Sequence, residues 1–174
     1  SVRGRSEMRL VIFAISLAWA LAAYACLDLS GEYAFEKDWN GSLVVSQNGC
    51  ASVQIEFVRP KEKKHYRSVV IPDGQAYEKT WTDGNSSSTV PATANSHEFD
   101  RASFDGGRLF WRTFDGDRSQ CEGHYSFVSM DCKQFEHSLG YDEDRKAFTW
   151  TQTGSWRSSD GGDGDDVFVL RKVR

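Results

Sequence analysis

The sequence has little proline, with three residues in 174, and only two methionines. It has no excess of positive charge, since 21 lysines and arginines stand against 25 acids for a net charge of −4. A nucleic-acid-binding chain usually presents a basic face, so that class is disfavoured. There is no G-x-S-x-G elbow, no H-E-x-x-H and no P-loop, which removes the common hydrolase, zinc-protease and nucleotide-binding signatures. The one long apolar run, Leu10 to Ala25, is shorter than the roughly 20 residues that span a bilayer as a helix. Past Cys26 no window of twelve residues holds a clean helical period. What is present is 39% hydrophobic and 13% aromatic residues, enough for one packed domain.

Residues 1–25 read as an address rather than as part of the fold. Ser1 to Glu7 is polar and precedes Met8, as an upstream extension would. Arg9 supplies the positive charge ahead of the apolar run, and Ala23-Tyr24-Ala25 has the small-x-small form of a cleavage site. Cleavage after Ala25 leaves residues 26–174 with 18 bases and 24 acids, an acidic exported domain, periplasmic or secreted. Cys26 then has two readings. It is either a lipidated first residue, which would make the protein an outer-membrane lipoprotein touching the membrane through that lipid alone, or an ordinary disulfide cysteine. Lipidation leaves an odd three cysteines and the alternative an even four.

From Leu29 onward apolar and polar residues alternate in short stretches broken by turn dipeptides. Expected strands cover residues 29–35, 42–47, 51–58, 67–71, 76–82, 98–104, 108–114, 123–130, 146–153 and 166–172. Asn48-Gly49 and Asp105-Gly106-Gly107 are hairpin turns. A short helix is allowed within 129–138, and residues 83–95 and 158–166 read as loops. Nine or ten strands without a repeat predict an all-β domain, a single antiparallel up-and-down barrel, with a β-sandwich as the alternative. Closure removes the sheet edges that seed aggregation.

Leu29-Ser30-Gly31-Glu32-Tyr33, followed by Gly41-Ser42-Leu43-Val44-Val45 and Asn48-Gly49-Cys50, resembles the opening of small bacterial exported lipocalin-like and avidin-like proteins. Tyr33 stands where lipocalins carry a tryptophan that packs across the closed barrel end. The resemblance implies an up-and-down barrel with a ligand cavity at its open mouth.

Strand one runs up and strand two returns, which brings Cys50 back to Cys26. Cys121 and Cys132 pair only if the chain turns between them, because an extended run would hold them about 36 Å apart. The expected bridges are therefore Cys26–Cys50 and Cys121–Cys132. Cys121, His124, Cys132 and His137 superficially form a zinc set, but the spacing matches no finger and the compartment favours disulfides, so no metal is expected. Gly161 to Phe168 matches one copy of a calcium-binding nonapeptide that works only in stacked repeats; a glycine-aspartate loop is the plainer reading. The four histidines, His65, His97, His124 and His137, read as surface side chains, and no catalytic residue or cofactor is assigned.

Tyr77, Trp81, Phe110, Trp111, Phe148 and Trp150, with Trp156, are the aromatics placed in or near a cavity, because flat side chains give binding area at low entropic cost. The leading expectation is a non-catalytic carrier of a small apolar or amphipathic ligand. The alternative is an envelope or secreted protein-interaction module, of inhibitor or adhesion type, with a solid barrel. Small inward residues favour the first and bulky inward aromatics the second.

Overall fold

A computed structural model describes residues 26–36, 41–59, 61, 64–123, 132–154 and 166–173. The leader, residues 1–25, lies outside the described residues, as do His124, Trp156 and most of the glycine-aspartate stretch.

Eleven strands close into one barrel. In chain order they are β1 (Gly31–Phe35), β2 (Ser42–Asn48), β3 (Ser52–Arg59), β4 (Lys64–Val70), β5 (Asp73–Thr82), β6 (Asn85–Pro91), β7 (Glu98–Asp105), β8 (Arg108–Asp115), β9 (Lys133–Asp142), β10 (Ala147–Gly154) and β11 (Asp166–Lys172), with a short helix α1 (Arg118–Gly123) between β8 and β9. β1 pairs with β11, so the sheet has no free edge and the sandwich alternative falls.

The strict up-and-down meander fails at one place. Around the barrel the order runs β4, β6, β5, β7, and β4 lies parallel to β6 through Ser68–Ser86, Val69–Ser87 and Val70–Ser88. The cause is the turn at Asp83-Gly84, where both residues have positive φ, 50° and 80°. That is the backbone of a two-residue hairpin. The chain therefore folds straight back and lays β6 between β5 and β4, where residues 83–95 were expected to form a loop. The strand was hidden because Asn85-Ser86-Ser87-Ser88 has neither alternation nor β-propensity.

Two further expectations need correction. Residues 133–138, allocated to a short helix, open β9, and the expected strand at 123–130 lies outside the described residues except for Gly123, which ends α1. Cys121 lies in α1 and Cys132 just ahead of β9, their Cα atoms 5.4 Å apart in a disulfide, while residues 124–131 between them lie outside the described residues. Cys26 and Cys50 form the other, with Cα atoms 5.5 Å apart. With its sulfur in that bridge, Cys26 has no thiol left to carry a lipid thioether. Two disulfides are compatible with an oxidising compartment.

Inward positions alternate along each strand. The buried core includes Tyr33, Leu43, Val45, Val53, Ile55, Val70, Ala102, Leu109, Trp111, Leu139 and Leu170. One end is sealed. Cys26 to Ser30 crosses it with Leu29 buried, Gln47 Oε1 accepts from the Leu29 amide at 3.0 Å, and the Tyr33 hydroxyl donates to the Leu29 carbonyl at 2.7 Å. Tyr33 stacks on Phe148 at 4.4 Å, and Lys172 Nζ lies 5.7 Å from its ring while donating to the Ser30 carbonyl. Gly140 is required on the outer wall: a Cβ there would come within 2.9 Å of the Arg108 Cα. Arg108 covers the gap and donates to the Gly140 carbonyl, Ser138 Oγ and Thr149 Oγ1.

Candidate functional site

The connections β1–β2, β3–β4, β5–β6, β8–β9 and β10–β11 all fall at the end opposite Leu29. Two aromatic residues ring it from the inside. Trp81 pairs in register with buried Ser86, and Tyr66 with core-packed Phe57, so both face inward, yet they are 58% and 40% exposed. This end is the mouth of the barrel.

Below it the lumen has two unlike halves. Strands β8 to β11, with β1 and β3, supply flat rings. Trp111 stacks on His137 at 4.7 Å, His137 on Trp150 at 6.4 Å and Trp150 on Phe168 at 5.2 Å, while Phe57 reaches Trp150 at 5.4 Å. Strands β4, β6 and β7 supply small or polar residues: Ser68, Val70, Ser86, Ser88, Asp100 and Ala102, all on the inward face by register. Eight strands give an interior that side chains can just fill, and the diameter grows with strand number. Eleven strands make a wider interior, and on this half the small residues are closely packed, with Val70, Ser88 and Ala102 only 1%, 1% and 2% exposed.

One buried carboxylate anchors the polar half. Asp100, 4% exposed, accepts from Ser88 Oγ at 2.6 Å and from Thr113 Oγ1 at 2.5 Å. Lys79 Nζ lies 3.6 Å from Asp100 Oδ1 and 3.8 Å from Glu98 Oε1, and hydrogen-bonds Thr113 Oγ1 at 3.1 Å. The ammonium also sits 5.0 Å from the Trp81 ring, whose Nε1 donates to Glu98 at 2.8 Å. Lys79 lies two residues before the inward-facing Trp81, so the period-two alternation of β5 sends this long cation inward; the register shift beside it, two steps on β5 against three on β6, leaves the extra residue on β6.

His137 corrects the surface reading given to the histidines. His65 and His97 are exposed and bonded to Glu56 and Asp117, but His137 lies within the ring stack. Burial, with a smaller contribution from Lys79, pushes it down from 6.5 to about 4. Its Nδ1 and the Trp150 Nε1 are both buried with no hydrogen-bond partner among the described residues. Among the described residues no carboxylate is hydrogen-bonded to the Nδ1 of this imidazole. A histidine that is neutral when folded but titrates normally when unfolded makes stability depend on pH. The unfolded chain binds the extra proton between pH 4 and 6.5, so stability is complete above about 6.5 and falls by about 3 kcal/mol as the pH drops to about 4. Urea unfolding across this range should show that slope, and His137→Phe should flatten it. An unchanged slope in the variant would place the titration elsewhere.

Of the sequence-selected aromatics, the structure brings Trp111 and Trp150 together in the stack and puts Trp81 at the mouth. Phe148 is a core residue under Tyr33 near the sealed end. Tyr77 bonds Asp73 through its hydroxyl in an exposed position. Phe110, 39% exposed, points outward, where it lines a hollow of 480 Å³ on the outer wall with Arg101, Arg112, Phe114 and Glu136. Sequence reasoning missed Lys79, Ser88, Asp100 and His137. Asp100 sits between Phe99 and Ala102 in an alternating strand, and that placement is the signal that could have found it. The Cys121 and Cys132 sulfurs are bonded to each other, so the superficial zinc set has no thiolates.

Comparison with protein-family models, with curated proteins and with solved structures finds no match.

Proposed function

We propose that this chain is an exported, non-catalytic, lipocalin-like carrier that takes a small apolar or amphipathic ligand through the Trp81–Tyr66 mouth. The observation that carries this reading is the asymmetry of the lumen: a wall of stacked rings opposite a wall of serine, alanine and valine. Ligand sites are mostly apolar, with a few placed polar groups, and the ring-lined half, where Phe35, Phe57 and Trp150 are only partly buried, answers to that description. Tyr33 at the sealed end, buried under Lys172 and stacked on Phe148, supports the lipocalin-like reading. The disulfides support export. The protein-interaction alternative has one observation in its favour, the outer hollow beside Phe110. Its arginines are already paired, Arg101 with Glu122 and Arg112 with Glu136, so it offers little charge to a partner.

The test is titration with a neutral lipophilic dye, N-phenyl-1-naphthylamine. One saturable site per chain is expected, with quenching of the tryptophan emission. Trp81→Ala, which removes the exposed ring at the mouth, should weaken the dye at least threefold, whereas Phe110→Ala should not change it. An absence of saturable binding, or binding lost with Phe110→Ala and kept with Trp81→Ala, would sink the carrier reading in favour of the outer wall.

A further inference from the structure

The two ends of the barrel differ in charge. The five connections at the mouth, residues 36–41, 60–63, 83–84, 116–132 and 155–165, hold ten acids and five bases. The four at the sealed end, residues 49–51, 71–72, 106–107 and 143–146, hold two of each. Strand residues at the rim cancel, with Arg59, Lys64 and Lys133 against Glu98, Asp115 and Asp166. The sign of this pole follows from which strand ends each segment joins, not from where its side chains point. A pole of one sign raises the local concentration of ions of the other, so the mouth draws cations.

Two exposed rings stand in that field. Trp81 on β5 and Tyr66 on β4 flank β6, about 10 Å apart at two strand spacings. Between them lie Ser86, whose hydroxyl donates to Ser68 at 3.0 Å, and Gly84, which adjoins the Tyr66 ring. Neither is bulky enough to fill the space between the rings, which remain 58% and 40% exposed. Trp81 already holds one cation: Lys79 Nζ lies 5.0 Å from its ring, while Glu98 fixes the indole by accepting from Nε1 at 2.8 Å. Lys79 is only 11% exposed, so it takes the buried part of the indole and leaves the rest open. Its charge is outweighed, because Glu98 and Asp100 lie 3.8 and 3.6 Å from the same ammonium.

Resting on the carrier reading above, we infer that the ligand class is a lipophilic organic cation, a quaternary or protonated amine on an apolar body, whose charged head sits between Trp81 and Tyr66 at the mouth. The head gains the negative faces of two rings and the field of the acidic pole. A carboxylate meets like charge at the pole and is repelled by the same ring faces. A neutral molecule of the same shape gains only apolar contact.

Three ligands test this: (naphthalen-2-ylmethyl)trimethylammonium, its neutral isostere 2-neopentylnaphthalene, and 2-naphthylacetate. Each is measured by displacement of N-phenyl-1-naphthylamine from the disulfide-intact protein at pH 7.5. In low salt the cation should bind at least fivefold more tightly than its isostere, and the carboxylate most weakly. Raising the salt to about 300 mM should shrink that preference, since exposed charges are screened. Trp81→Leu keeps an apolar side chain but removes the π face, and should at least halve the preference. Tyr66→Leu carries the same comparison if Trp81→Leu does not fold. Should the isostere or the carboxylate bind as tightly as the cation, or should both ring substitutions leave the preference untouched, the inference fails and the carrier reading stands. If none of the three displaces a bound dye, the inference alone is overturned. If the dye itself finds no site, both are.

Discussion

Replacing Lys79 with methionine should lower the stability of the barrel by about 3–5 kcal/mol in urea unfolding, the range measured when one partner of a buried ion pair is removed. The chemistry is one-sided. Asp100 lies deep in the lumen wall, and Lys79 is itself only 11% exposed, so the carboxylate cannot turn to water when the ammonium is lost. Ser88 and Thr113 would still donate to it, but two hydroxyls do not neutralise a charge. Adding Asp100→Asn to Lys79→Met should recover most of the loss, because the amide oxygen still accepts from a hydroxyl and no buried charge remains. A cost below about 1 kcal/mol for Lys79→Met would mean that water reaches Asp100 and that this side of the lumen is wet.

Removing the Cys26–Cys50 disulfide by paired serine substitutions should cost about 3 kcal/mol, as expected from chain entropy for cysteines 24 positions apart. The effect should be local as well as global. The bridge pins the segment that carries Leu29 over the sealed end, where Gln47 holds it through the Leu29 amide and the Leu27 carbonyl. Hydrogen exchange should therefore lose protection first at the Leu29 amide. The same substitution at Cys121 and Cys132, 11 positions apart, closes a shorter loop and should cost less. Equal losses at the two pairs, with Leu29 still protected, would show that the N-terminal segment is held by packing alone.

Much of the architecture was legible along the chain. Where one face of a strand is buried and the other wet, alternation marks it: Val53, Ile55 and Phe57 in β3, or Leu109, Trp111 and Thr113 in β8, point inward by the period of two. Asn48-Gly49 and Asp105-Gly106-Gly107 declare their hairpins because Gly49, Gly106 and Gly107 take positive φ. The Cys26–Cys50 pairing followed from the return of the second strand, whereas Cys121–Cys132 was allowed only if the chain turned between them.

The candidate site was less legible, for a reason that recurs at each missed residue. Ser86 and Ser88 form part of a strand only because β4 and β5 lie on either side to pair with it. Phe110 and Trp111 are adjacent aromatics of equal promise in sequence, and the pleat sends one outward and the other into the stack. His137 reads as a polar residue between Glu136 and Ser138, and becomes a buried neutral ring only against Trp111 and Trp150. Lys79 points inward by the same alternation that turns Trp81 inward, but its partners Glu98 and Asp100 belong to β7, nearly twenty positions or more along the chain.

The sequence by itself determined the class of fold and most of the strands, since these depend on local periodicity and turn chemistry. Tertiary structure alone decided the strand order at β6, the two unlike halves of the lumen and the buried ion pair. Those features arise from residues distant along the chain meeting across the barrel, where packing and desolvation outweigh the preference of any single segment.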